Sequence, residues 1–451
     1  MTDNNYSPSR PTPANRYQGV NDFRLKRIVL TTFNGEQVDL GNVFGNINIY
    51  QDLFANTMSA DLTIIDASNL KSNLPILGQE TVEIEYETPG FGVMRYVFYT
   101  YAIPERIVSN SSRNQSYTIK LISPEGFYNL RKQVSKSFTG STDAMIQTIY
   151  TDFLSDGSKQ LVIASPTLTT NRKFVIPYWN PFYAINWLCA RSLSAENINA
   201  CNYLFFERAN SDDGRTEFVL STIENLVKQQ TIKTYTYYPP RLRKDFRGAR
   251  NNAYEFVNIN TINFLEEGDR LSELMSGRFA GTVLTHDIVT QKYQEKYLSY
   301  RDEFNKTSHL EKNYPIGNSE REVFSTYLDA NYMYLPKHSF LHDSIGDNDY
   351  NELWSLKRKS LLKSILSKKV TIEAPGDSSI TVGDVVNLDI PRIQAINKDT
   401  DDKDPTDSGR YLVIEVMHRI TRLGYTTNLK LVRDSLPEPV ATTSIGDTPN
   451  A

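Results

Sequence analysis

The chain has 451 residues, which at roughly 150 per domain implies about three globular units with room for substantial buried cores. Against 53 Asp and Glu stand 49 Lys and Arg, a formal net charge of −4, so the chain offers no global cationic field to hold DNA or an anionic lipid surface. A hydrophobic content of 39% with 27 Tyr and 21 Phe suits a folded, β-rich chain.

The opening Met1-Thr2-Asp3-Asn4-Asn5 has no basic region followed by an apolar one, and no apolar run approaches the ~20 residues needed to span a bilayer. The expectation is assembly in a cytoplasm and no direct membrane binding. Cys189 and Cys201 are too few for a disulfide framework and are expected as reduced core thiols.

Residues 1–22 are rich in Asn, Ser and Pro and lack periodicity, so they read as a flexible arm. The next block, 23–123, reads as all β. Val82, Ile84 and Tyr86 alternate with Glu83, Glu85 and Glu87, the period-two signature of a strand with one wet face, and Tyr117, Ile119 and Leu121 repeat it. Arg24–Thr32, Asn46–Tyr50, Ala60–Asp66 and Arg95–Ile103 complete six or seven strands, enough for a small barrel.

The texture changes over 124–228, an expected α+β domain. Thr142 stands where a helix would be capped, ahead of an apolar face of Met145, Ile146, Ile149, Tyr150, Phe153 and Leu154. Asn180 with Pro181 marks a second helix start, and strands are expected at Tyr203–Glu207 and Glu217–Ser221.

An internal repeat follows. Ile47-Asn48-Ile49-Tyr50 with Met58-Ser59-Ala60 resembles Ile262-Asn263-Phe264-Leu265 with Met275-Ser276-Gly277, each running into a strand that ends at Asp66 or Asp287. Then Val82–Tyr86 resembles Val386–Ile390, Tyr96-Val97-Phe98 resembles Tyr411-Leu412-Val413, and Ile119–Ile122 resembles Leu429–Val432. On this alignment 229–290 and 370–436 form a second β-barrel, split by a mainly helical insertion at 291–369 of about 83 extra residues, with a flexible tail at 437–451. The insertion's helix places Leu353, Trp354, Leu361, Leu362, Ile365 and Leu366 on one face and Lys357, Arg358, Lys359 and Lys363 toward water.

No catalytic, cofactor-binding or metal signature emerges. There is no nucleophile elbow, phosphate loop or His-Glu-x-x-His, and the pair His338 and His342 has no third ligand at a diagnostic spacing. The acidic run Asp399–Asp407 lacks the glycine and the final glutamate of a calcium loop and reads as a solvated hairpin connection. Two basic clusters, Arg241, Arg243 and Lys244 and then Lys357, Arg358 and Lys359, are the candidate protein-contact residues, the first a connector toward an acidic neighbour.

Several stretches together resemble the baseplate central hub proteins of contractile-tailed bacteriophages. They are Met58–Asp66 with Leu74-Pro75-Ile76-Leu77-Gly78, Ser123-Pro124-Glu125-Gly126, and Ile176-Pro177-Tyr178-Trp179-Asn180-Pro181-Phe182 with Ile185-Asn186-Trp187-Leu188. The resemblance spans roughly 24–435. It implies a mainly β, α+β chain with two related antiparallel barrels of tail-tube type, forming a homotrimeric ring that joins a hexameric tail tube to a trimeric central spike. Other baseplate proteins would be further partners, duplex DNA would pass only in transit, and the location would be the tail baseplate of the virion. A carbohydrate- or cell-surface-binding tail protein is the alternative, motivated by the β-rich blocks and abundant tyrosine.

Overall fold

The computed structural model describes residues 21–67, 70, 78–88, 92–104, 106–108, 114–169, 172–211, 213–237, 256–267, 269–316, 331–338, 350–392 and 403–439. The chain opens with β1 (Arg24–Thr31), β2 (Gln37–Asp39), β3 (Phe44–Asp52), β4 (Ser59–Asp66), β5 (Thr81–Glu87), β6 (Val93–Ala102), β7 (Arg106–Val108) and β8 (Gln115–Ile122). They pair in the order β3-β4-β8-β6-β5-β1-β2, with β7 added to β8. Alternation of buried and half-buried residues along β5 and β8, and along β3 from Asn46 on, sends one side of this sheet inward. Ile47, Leu62, Ile84, Phe98 and Ile119, from five different strands, meet in one core, so the sheet is curled around its own apolar face.

The α+β block carries α1 (Pro124–Arg131), β9 (Val134–Gly140), α2 (Thr142–Ile149), β10 (Leu161–Ile163), β11 (Arg172–Trp179), α3 (Pro181–Cys189), β12 (Tyr203–Asn210), β13 (Arg215–Thr222) and α4 (Ile223–Leu226). Ser141 rather than Thr142 is the cap of α2, and Asn180 with Pro181 starts α3 as expected. The block has its own core, to which Met145, Ile185, Leu188 and Phe218 contribute. Cys189 and Cys201 are buried free thiols, and burial raises both, Cys189 to about 12.

The last third holds β14 (Lys233–Thr236), β15 (Thr261–Glu267), α5 (Arg270–Met275), β16 (Ala280–Asp287), β17 (Tyr293–Ser299), α6 (Tyr300–Phe304), β18 (Tyr332–Lys337), α7 (Asn351–Ile365), β19 (Lys368–Pro375), β20 (Val385–Asp389), β21 (Gly409–Thr421) and β22 (Gly424–Arg433). Here β15-β19-β22-β21 reproduces the order β3-β4-β8-β6, and β20 flanks β21 as β5 flanks β6. The registers agree along the middle of these strands, although β3 is bulged between Phe44 and Asn46 and β15 between Phe264 and Glu266. Leu62 faces Ile47 and Ile119, and Ile372 faces Ile262 and Leu429. Each copy carries a bulge at the same place, between Thr100 and Ala102 opposite β8 and between Val413 and Glu415 opposite β22. One departure is that β14 runs parallel to β20, whereas β1 runs antiparallel to β5.

This register corrects the sequence alignment in two places. The strand ending at Asp287, β16, lies in a separate three-stranded sheet between β17 and β18, and the counterpart of β4 is β19. The second copy is therefore interrupted between β15 and β19, and the intervening segment contains a sheet as well as helices. Likewise Tyr411 stands at the position of Phe98, not Tyr96, a slip of two residues that leaves every side chain on its expected face.

The two halves are one sheet. The C-terminal part of β21 pairs antiparallel with β3, from Glu415 opposite Asp52 to Thr421 opposite Asn46. Across this junction Ile420 and Tyr425 enter the first core and Leu53 enters the second. Beyond it, the start and the end of the described chain are tied down: the Tyr425 N–H donates to Asn21 O, and Asn313 exchanges backbone bonds with Leu436 and donates through Nδ2 to Pro437 O.

Candidate functional site

The joined sheet presents a long second face, opposite its two cores. Because Ile47 and Ile420 point inward as a pair, their neighbours Asn48 and Arg419 point outward as a pair, and the outward face runs unbroken across the junction. Its β3 and β4 positions are Asn46, Asn48, Tyr50, Asp52, Ser59, Asp61, Thr63 and the exposed Ile65. On β8 they are Ser116, Thr118, Lys120 and Ile122, on β21 Glu415, Met417, Arg419 and Thr421, and on β22 Thr426, Asn428 and Lys430. Small, neutral polar residues are the commonest kind among them.

Two of its three cations, Lys120 and Lys430, are neutralised in place, and Arg419 is exposed. Lys120 Nζ lies 2.7 Å from Asp61 Oδ2, directly across the β4–β8 ladder, and the Tyr50 hydroxyl donates to the same oxygen at 3.2 Å. Hydrogen bonding to Asp61 holds Lys120 above its usual range, and burial followed by the Asp61 charge raises Tyr50. Lys430 Nζ lies 2.6 Å from Glu415 Oε1, again a cross-strand pair. Asp52 sits beside Glu415. Burial raises its carboxyl, the Phe54 N–H it accepts at 2.8 Å opposes this, and the Glu415 charge adds to the rise.

Behind this face the junction is cemented by a buried polar cluster. Gln51 accepts from the Thr381 hydroxyl and the Ala209 N–H through Oε1, while its Nε2 stands 3.2 Å from His418 Nε2. Burial pulls His418 down to about 4, so it is a neutral imidazole that accepts from Gln51 and contacts the Tyr425 hydroxyl at 2.7 Å through Nδ1. Residues from β3, the α+β block, the β19–β20 connection and β21–β22 thus meet in one network.

A second buried network fixes the α+β block beneath the sheet. Lys159 Nζ lies 2.7 Å from both Glu125 and Glu207, and the Met58 N–H donates to the other oxygen of Glu207 at 2.8 Å. Burial pushes Glu125 up to about 7 against the pull of the Lys159 charge, with Glu207 adding to the rise. Burial would lower Lys159, but the two carboxylates keep it above its usual range.

Of the residues expected to make protein contacts, Arg241, Arg243 and Lys244 lie outside the described residues. Lys357, Arg358 and Lys359 are on α7 and bind the chain itself rather than keeping that face in water. Lys357 pairs with Glu303 at 2.7 Å and donates to Asn199, Arg358 donates to the carbonyls of Cys201 and Tyr203 at 3.0 and 3.2 Å, and Lys359 donates to Asn331 at 3.2 Å. They weld α7 to the α+β block and to the turn before β18. A run of basic residues on a helix does not announce whether its anionic partners belong to the same chain. Of the histidine pair, His342 is outside the described residues, as are residues 399–402 of the acidic run. Among the described residues no group of three or more His, Cys, Asp or Glu could hold a metal ion, and no helix is long and apolar enough to cross a membrane.

No family model matches the chain. Over 272 residues it is 26% identical to the "Probable baseplate hub protein gp334" of Vibrio phage KVP40, a match that covers 58% of this chain and 60% of that relative's length. The crystal structure of a tail protein from Neisseria meningitidis MC58 superposes with a TM-score of 0.51 at 11% identity, covering 90% of this chain and 96% of the other. The 43 kDa tail protein of prophage MuSo2 from Shewanella oneidensis gives 0.52 at 9% identity, covering 91% and 99%. The chain is thus similar in sequence to a phage baseplate hub protein and shares the fold of tail proteins.

Proposed function

We propose that this chain is the structural hub of a contractile-tail baseplate, a ring of three copies in which each copy supplies two barrel-like units. The ring would join a six-fold tail tube to a three-fold central spike and leave a channel for DNA during ejection. The observation that carries this reading is the edge-to-edge joining of two related β units into one sheet with a continuous outward face. A three-fold ring offers six like patches only if each subunit carries the patch twice, which is what a repeat of this kind supplies.

The chemistry of the outward face fits a channel wall. Duplex DNA carries one charge per ~1.7 Å, so a wall rich in free cations would hold it. Lys120 and Lys430 are paired with Asp61 and Glu415, and Asn, Ser and Thr fill much of the remainder. Such a wall lets the polyanion slide.

The test is light scattering of the purified chain, alone and with a spike protein, followed by negative-stain imaging. A mass three times that of the chain and a ring of six lobes support the proposal. A stable monomer in both conditions sinks it. Glycan-array binding by such a monomer would favour a carbohydrate-binding tail protein instead.

A further inference from the structure

We propose that the open face of the β16–β17–β18 sheet is a stacking platform for a short stretch of N-acetylated glycan chain, a binding function separate from the subunit's place in the baseplate. The other face is closed by α7. There Val283, Leu298 and Leu356 form a small core with the half-buried Met333 and Leu335, and Thr285 donates to Glu352 at 2.6 Å. On the open face the registers set Tyr297 and Tyr332 on either side of Thr282, Glu295 and Tyr334 on either side of Leu284, and Tyr293 opposite His286. Strands β17 and β18 thus each raise two tyrosines, which in chain order are 61, 55, 53 and 51% exposed. Single exposed aromatics are ordinary on a protein surface, but four on one small sheet face mark a recognition surface.

Two of these rings are held in place before any ligand arrives. Tyr293 and Tyr332 stand one row to either side of Leu284 on opposite edge strands. Their side chains hydrogen-bond across it, a bond that raises Tyr293 to about 12. Leu284 is only 8% exposed although it points to the open side, as two rings leaning over it require. The outcome is a flat aromatic surface edged with hydroxyls, and ordering it in advance removes part of the entropy cost of binding.

Size and charge select the ligand. Three strands span two gaps of about 4.8 Å and three rows of side chains two steps of about 6.8 Å, so the face measures roughly 10 by 14 Å. A stable protein interface buries about 800 Å² on each partner, several times this area. A short linear chain fits it. Among the described residues no Lys or Arg stands on this face and the exposed Glu295 does, which disfavours the phosphates of a nucleic acid or an anionic lipid. Sugar rings supply C–H faces to lie on the tyrosines and adjacent hydroxyls to donate to the Glu295 carboxylate, a stronger acceptor than a neutral oxygen. An acetamido group adds an N–H for that carboxylate and a methyl for a ring, so an N-acetylated chain uses the face most fully. His286, half-buried opposite Tyr293, offers a further hydrogen-bonding nitrogen.

The test is calorimetric titration of the purified full chain with a chitin-derived tetrasaccharide, with the cellulose-derived tetrasaccharide and a proline-rich decapeptide as comparisons. Saturable binding of the first is expected, about tenfold tighter than the second, which lacks the acetamido groups. Tyr334→Ala should weaken it about tenfold, whereas Tyr334→Phe, which keeps the ring, should stay within about twofold of wild type. Glu295→Gln should weaken it as well. Tyr334 and Glu295 face away from the α7 core, so the unfolding midpoint and the light-scattering mass of these variants should be those of wild type. No saturable binding at millimolar sugar, binding unchanged in Tyr334→Ala and Glu295→Gln, or a preference for the peptide would each overturn the platform. Binding by a trimer supports the platform within a hub. Binding by a stable monomer supports the platform and sinks the ring, so the two readings fail separately.

Discussion

Glu125 offers a sharp test of how the α+β block is held. Its folded pKa of about 7 stands above the ordinary 4.5, so the folded state binds the proton more tightly than the unfolded chain. The sign follows: the stabilisation is fully present below 4.5 and is lost as pH rises to about 7. At 1.36 kcal/mol per unit over that interval, ionising Glu125 costs the fold about 3 kcal/mol. Glu125→Gln keeps the shape and the neutral charge of the protonated form and leaves Lys159 its Glu207 partner at 2.7 Å. The variant is expected to match wild type near pH 4.5 and to exceed it by up to about 3 kcal/mol at pH 8. Urea denaturation read by the fluorescence of Trp179 and Trp187, which lie against the block's core, measures this directly. A difference between variant and wild type that does not change with pH, or a variant less stable at pH 8, would refute the reasoning.

Other outcomes follow from single contacts. Gln51→Leu removes the group that joins His418, Thr381 and Ala209 and should cost roughly 2–3 kcal/mol in denaturant unfolding, because three buried polar partners lose their bond at once. Gly214→Ala should destabilise the fold by at least the ~1 kcal/mol of a left-handed residue, read as a lowered thermal midpoint, since φ is +71° there and the new Cβ would lie 2.0 Å from the Val93 carbonyl oxygen. His309 donates to Asp434 at 2.7 Å. Against the lowering effect of its burial, this partner raises it above 6.5, so the clasp on the C-terminal segment is firm below 6.5 and weakens as pH rises past it. The protection of the Leu436 amide, its exchange rate relative to the intrinsic rate at the same pH, should fall over that rise, and in His309→Gln that protection should not change with pH. Finally, wild type should show negligible duplex binding in a mobility-shift assay at physiological salt, whereas Asp61→Asn with Glu415→Gln, which leaves Lys120 and Lys430 unpaired, should show retention. Equal mobility of the two would count against the channel-wall assignment.

Much of this architecture was legible because period two is a loud signal. Alternation at Val82–Tyr86 and Tyr117–Leu121 identified strands and their faces, and the Asn180-Pro181 start identified α3. The repeat was legible in outline, but its alignment at Met275–Asp287 was not. A strand of β-branched and small residues has the same texture whichever sheet it joins, so β16 could pass for the counterpart of β4. The polar outward face was written in the same alternation as the core, in residues such as Asn46, Asn48 and Thr118, yet neutral polar side chains do not announce a function. Lys357 and Arg358 were misleading for the opposite reason. Charge draws the eye, and only the fold shows that Glu303 and two backbone carbonyls receive them.

The β3–β21 junction also has a consequence for the time course of synthesis. Gln51 and His418, partners across it, are 367 residues apart in the chain. At about 5–20 residues per second, a ribosome that has passed Gln51 needs roughly 20–70 s more before β21 is made. Throughout that interval β3 presents an unpaired edge, the hazard that nascent β proteins must survive. Asn46, Asn48 and Asp52 on its outward side make that edge a poor template for another chain's apolar strand. Strand pairing that makes one sheet of two units therefore leaves the first-made half unfinished until β21 has been translated.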